Sequence, residues 1–203
     1  MGLAPMHTWL PDAHSEAPSP VSALLSGALL NCAFLGILRA FQVTNAAGLG
    51  QFARGPLLVL GFVSMGTAAA FMIRQPDYKR LLAYSSVEHM GILAVGIGLG
   101  GGPAAFGALL HALNHSLAKG LLFFAAGAVF LLYHTKAVAG VSGLARRAPL
   151  VGILFMAGFL AITGTPPFGP FISELTILLA ALAGGHYWAA GLFLFLLAVV
   201  AAA

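Results

Sequence analysis

Long apolar blocks alternate with short polar links along most of the chain. The first block runs from about Pro20 to Phe41 with Asn31 near its middle, the second from Leu57 to Ile73, and the third from Leu81 to Gly100, carrying Glu88 and His89. A fourth, Ala104 to Tyr133, follows the turn GLGGGP, and a last one begins at Trp188 and continues to Ala203. Between them, Pro149 to Ala183 is apolar but interrupted by GTPPFGP, Gly164 to Pro170, which no regular helix passes through unbroken. Each arm is short of the ~20 residues that a bilayer core takes, so one broken helix fits better than two crossings. Broken helices at membrane depth line polar cavities. The pattern predicts an all-α, polytopic transmembrane bundle of about six membrane segments, in one membrane domain over 1–203 with no soluble domain.

Composition agrees: 60% of the 203 residues are hydrophobic and 7% are charged, against about 25% charged in soluble domains. The net charge of +4 comes from short clusters between the apolar runs, without the basic tract or stacking platform that nucleic acid requires. Counted loop by loop, Arg74, Lys79, Arg80, Lys136, Arg146 and Arg147 fall on one side and only Arg39 and Arg54 on the other. The positive-inside rule then places the first side, with the N-terminal segment HTWLPDAHSEAPSP, in the cytoplasm and the chain in an inner (cytoplasmic) membrane. MGLAPMHTW lacks the basic start of a signal peptide. Cys32 stands alone, and no Cys cluster or Gly-rich fingerprint is present to hold Fe–S, flavin or NAD; no cofactor is expected.

Inside the fourth block lies LLHALNHSLAKGLLFF. His111, His115 and Lys119 are four residues apart, advance only about 40° per step and so share one helical face over roughly 12 Å. Burying lysine in a bilayer costs at least about 2.5–3.5 kcal/mol, so such groups face a wet interior and carry function. A histidine and lysine ladder is suited to passing protons. Taken singly, either histidine fits ordinary packing. His-x-x-x-His is also a metal spacing, but HALNH lacks the Glu of a zinc-protease helix, and no metal is expected. Glu174, four residues past the break, suits proton exchange or a cap on the second half-helix. Glu88 and His89 fit a relay or an interhelical pair. Lys79 and Arg80 with Asp77 suit a membrane-edge anchor.

The stretches MHTWLPDAHSEAPSPVSALLSG, QPDYKRLLAYSSVEHMG, HALNHSLAKGLLFF and GTPPFGPFISELTIL together resemble the antiporter-like membrane subunits shared by respiratory complex I, membrane-bound hydrogenases and Mrp-type cation/proton antiporters. The opening stretch is most similar to the F-type subunit of hydrogenase-4 and formate hydrogenlyase. The resemblance implies a fold of about fourteen helices with two inverted five-helix repeats, each with one broken helix, and a hydrophilic axis at mid-membrane that conducts protons. By position it implies that Glu174 exchanges protons with the outer side, that Lys119 with His111 and His115 joins two half-channels, and that His89 and Glu88 belong to the axis, with Lys79, Asp12, His14 and Asn31 as possible supports. Other members carry a lysine where this chain has Asn31, which shifts the connecting role to Lys119. The lysine of the first broken helix would precede Met1, so the chain is expected to cover mainly the second repeat. A proton-translocating subunit of a redox-driven complex is thus expected, not catalytic alone, with membrane and peripheral subunits of a hydrogenase or complex I-like assembly as partners. The alternatives are a Na⁺(K⁺)/H⁺ antiporter subunit and a non-conducting structural fragment.

Overall fold

The computed structural model describes residues 2–202. It is helical, with no strand among the described residues. A short helix α1 (Trp9–Glu16) is followed by α2 (Ser19–Leu24), a π-turn over Leu25–Leu29 and α3 (Leu30–Ala46), which together form one span, Ser19–Ala46. Next come α4 (Gly50–Met72), α5 (Tyr78–Leu99) and α6 (Gly102–Tyr133). A short α7 (Leu144–Arg147) leads into the broken pair α8 (Pro149–Ile162) and α9 (Gly169–Ala183), and α10 (Tyr187–Ala202) ends the described chain. Four helices are long and apolar enough to cross a membrane, and three apolar helices are shorter. This is a multi-pass membrane protein.

Helix α5 is the axle of the bundle. It is buried along nearly its whole length, its polar residues Ser85, Ser86, Glu88 and His89 included, and α4, α6, α1 and α9 pack around it. The approach of α4 is close enough that a β-carbon on Gly61 would lie 2.9 Å from the Gly91 carbonyl, so glycine is required at that crossing. Asp77 opens α5 by accepting from the Lys79 and Arg80 amides at 2.7 and 3.1 Å, the usual service of an N-cap carboxylate. With 32 residues, α6 is about 48 Å long. Lys119 has seventeen of its residues before it and fourteen after, close to the middle.

Several boundaries differ from the pattern-based reading. The polar opening is helical over Trp9–Glu16, with Leu10 and His14 fully buried against the bundle; proline at position 11 sits in the first turn, where its missing N–H costs nothing. The second span begins at Gly50 and runs through Pro56. The break is shorter than GTPPFGP, because Gly169 and Pro170 already belong to the first turn of α9, another N-terminal proline.

Candidate functional site

All three members of the α6 ladder are fully buried and meet α5, and His111 also reaches α9. Lys119 Nζ donates to the Leu82 carbonyl at 2.6 Å and to Ser85 Oγ on α5. Neither ion pair formed among the described residues involves it. The oppositely charged partner it interacts with is Glu88, one turn beyond Ser85 and 3% exposed. A cavity of about 60 Å³ lined by Ser85, Glu88, Ile162 and Thr163 is large enough for water and links that carboxylate to the end of α8.

Above Lys119 the histidines gather. His89 Nδ1 lies 2.7 Å from His111 Nε2, and His111 Nδ1 lies 2.9 Å from Ser173 Oγ on α9. His89 also packs against His115, with ring centroids 5.2 Å apart. The chain Ser173–His111–His89 has two registers, because each neutral imidazole carries one N–H. When the Ser173 hydroxyl points to the Pro170 carbonyl, 2.8 Å away, both histidines carry the proton on Nδ1 and His89 Nε2 is a bare acceptor. When it points to His111, both carry it on Nε2, and that of His89 has no hydrogen-bond partner among the described residues. Moving a proton along the chain converts one register into the other.

Neither ring nitrogen of His115 has a hydrogen-bond partner among the described residues. A buried polar group without one costs about 1–3 kcal/mol, and native proteins keep such groups where water or function demands them. His14 is in the same condition. It stacks on Phe123 at 4.7 Å, both its nitrogens are unpartnered, and burial, reinforced by the Lys119 and Lys79 charges, lowers its pKa to about 4.

Glu174 completes the site from the broken helix. It stands in the second turn of α9 rather than the first, so it is no N-cap; Phe168 holds that place without a side-chain bond. Its carboxylate instead lies against Gly164, where a β-carbon would collide with it and where φ is +63°. Only glycine suits both conditions. One donor atom from each of His89, His111 and Glu174 falls within 4.8 Å of the others. Thus α5, α6 and the break supply two acids, three histidines and a lysine to one interior.

The remaining candidates lie elsewhere. Asp12 pairs with Arg80 at 2.8 Å on the surface. Lys79 is buried but donates to the Ala17 carbonyl at 3.1 Å and sits over the Phe130 ring. Asn31 clasps α6, donating to the Ala112 carbonyl at 3.0 Å and to Ser116 Oγ at 2.5 Å. Two serines were missed. Ser85 precedes Glu88 and His89 by three and four residues, a one-face spacing that would have revealed it. Ser173 shares its buried stripe with Ile177 and Ala181, but nothing in sequence shows that the stripe meets His111.

The model of the family described as NADH:quinone oxidoreductase/Mrp antiporter, transmembrane, matches residues 1–200. The chain belongs to that family. Among its relatives is a "Hydrogenase-4 component F homolog" of Methylacidiphilum infernorum, 46% identical over 184 residues, covering 90% of this chain and 38% of the relative. An "NAD(P)H-quinone oxidoreductase chain 4 2" of Thermosynechococcus vestitus is 40% identical over 177 residues, 87% of this chain and 33% of the relative. A chain of respiratory complex I from Thermus thermophilus superposes with a TM-score of 0.85 at 33% identity, covering 98% of this chain and 42% of that one. The chain therefore spans well under half the length of these family members.

Proposed function

We propose that this chain is a proton-conducting membrane domain, residues 1–203, of an antiporter-like subunit in a redox-driven complex of the hydrogenase-4 or NADH:quinone oxidoreductase type. The observation that carries the proposal is the continuous set of buried ionisable groups Glu174, His111, His89, His115, Lys119 and Glu88, joined by hydrogen bonds, ring contacts and charge interactions and left without ion pairs. Protons enter or leave at Glu174 beside the break, cross the histidines and reach Lys119, which with Glu88 connects to the other half of the path. Electron chemistry belongs to partner subunits. Its relatives among hydrogenase-4 components and NAD(P)H-quinone oxidoreductase chains support this setting.

The end of the bundle where Lys79, Arg80 and Lys136 meet faces the cytoplasm of an inner (cytoplasmic) membrane in this reading. Its loops are tied together, with the Tyr78 amide donating to the Lys136 carbonyl at 3.1 Å and Lys136 meeting Glu16 at 3.3 Å, and the basic excess gathers there.

The test is proton uptake by sealed vesicles bearing the assembled complex with the full-length subunit, comparing wild type with Lys119→Ala and Glu174→Gln. Redox turnover that continues while uptake falls to the leak level supports the path. Normal uptake by both variants refutes it. Replacing sodium or potassium in the medium distinguishes proton translocation from cation/proton exchange.

A further inference from the structure

We propose that His89, His111 and Glu174 form a binding site for a transition-metal dication of the Zn²⁺ class, and that an ion held there blocks the proton path. Three observations carry the inference. The first is the donor set itself: two imidazoles and a carboxylate, the His₂Glu combination of catalytic zinc sites, with donor atoms within 4.8 Å of one another. Imidazole selects zinc and its neighbours over the hard cations Mg²⁺ and Ca²⁺, which take oxygen ligands.

The second is the support around the ligands. A metal-bound histidine directs its other ring nitrogen to a fixed partner, which sets the tautomer and the ring plane. With His111 Nε2 and His89 Nδ1 facing each other at 2.7 Å, the far nitrogen of His111 already meets Ser173 Oγ at 2.9 Å, while the far nitrogen of His89 has no hydrogen-bond partner among the described residues. Two donors on a tetrahedral zinc stand roughly 3.3 Å apart at zinc–nitrogen lengths of about 2.0–2.1 Å. Admitting the ion therefore requires the facing nitrogens to part by about half an ångström and both rings to tilt so that their lone pairs converge on it.

The third is access and demand. The Glu174 carboxylate has no hydrogen bond or ion pair among the described residues, and it retains 7% exposure. It sits at the break, where Gly164 and Thr165 are half-buried and Pro166 and Pro167 exposed. An ion arriving there meets the acid first and the histidines behind it, with water completing its coordination. Because binding takes the facing lone pairs of both rings, the Ser173–His111–His89 chain can no longer change register. The block rests on the proton path proposed above; the binding does not.

The assembled complex with the full-length subunit is exposed to micromolar ZnCl₂, passed over a desalting column and assayed for retained zinc, while proton uptake is followed in vesicles over the same zinc range. Wild type should retain one zinc per subunit more than His111→Gln and Glu174→Gln, and excess Mg²⁺ should not displace it. Ser173→Ala keeps all three ligands and should weaken retention about 10- to 100-fold, which guards against loss by misfolding. Zinc retained equally by wild type and every variant overturns the site. Zinc lost in the variants while uptake by wild type is indifferent to it leaves the site standing and overturns the path.

Discussion

Two sets of charged residues lie at opposite extremes of solvation in this molecule. At the basic end, Asp12 meets Arg80, Glu16 meets Lys136, and Asp77 caps α5, so opposite charges pair and the ion pairs remain in contact with water. In the interior, Lys119, Glu88 and Glu174 are buried without an ion pair among the described residues, and the His115 ring lacks a hydrogen bond among them. Surface pairs of the first kind are worth about 0–1 kcal/mol. Removing an ion from water costs several kcal/mol, and one carbonyl and one hydroxyl on Lys119 are a thin return. Stability explains the first set. For the second we propose proton transfer.

Lys119→Arg strikes this contrast hardest. Arginine keeps the charge and the donors for Leu82 and Ser85 but does not release a proton in proteins. If Lys119 were an electrostatic or packing element, uptake would survive. As a transfer group its replacement should lower proton uptake by about 10²-fold, in the range attributed to positioned acids and bases, with the complex still assembled. Vesicle uptake normalised to subunit content gives the answer.

How much of this was open to sequence depends on whether a feature is local. The shared face of His111, His115 and Lys119 follows from a spacing of four, and the spans follow from apolar length. GTPPFGP announces the break for the same reason. What meets across the bundle does not. Nothing local couples His89 to His111 or brings Ser173 under His111, since these contacts depend on how α5, α6 and α9 pack. The burial of α1 was hidden likewise: HTWLPDAHSE reads as polar, yet its leucine and histidine turn inward together because 10 and 14 share a face. Asn31, a possible support by resemblance, holds α3 to α6 through bonds that no local pattern shows.

His14 lies on the border between the two regions, and pH separates it from the surface pairs. Its folded pKa of about 4 lies below the ordinary 6.5, chiefly through burial. The unfolded state therefore binds more protons between pH 6.5 and 4, and stability falls as pH falls through that window. By pH 5 the loss from this group is about 2 kcal/mol. His14→Leu, which keeps the contact with Phe123, should remove that part of the acid sensitivity. Denaturation midpoints of the full-length subunit at pH 7.5 and 5, wild type against variant, measure it. Equal acid shifts would mean that His14 is solvated in solution.

A smaller effect is expected at Asn31. Asn31→Ala removes donors to the Ala112 carbonyl and Ser116, and interhelical hydrogen bonds in membranes average about 0.6 kcal/mol with a maximum near 1.7. The variant should loosen the subunit by that order while uptake per assembled complex stays within about twofold, an outcome fitting a clasp whose loss is modest. A collapse of uptake at normal assembly would move Asn31 onto the conducting axis.

The smallest change belongs to the exposed pair. Asp12 and Arg80 are 72% and 45% exposed, at 2.8 Å, so Coulomb attraction is weakened by water and opposed by the entropy of fixing two side chains. Asp12→Ala should cost about 0.2–1 kcal/mol, and less at high salt, because screening acts on exposed charges. Proton uptake should be unchanged at every salt concentration. Had Asp12 gathered protons for the interior, uptake would fall in the variant and the fall would itself depend on ionic strength. The salt series in vesicles therefore asks whether the boundary between the two sets of charges runs where burial puts it, between Asp12 outside and His14 within a single short helix.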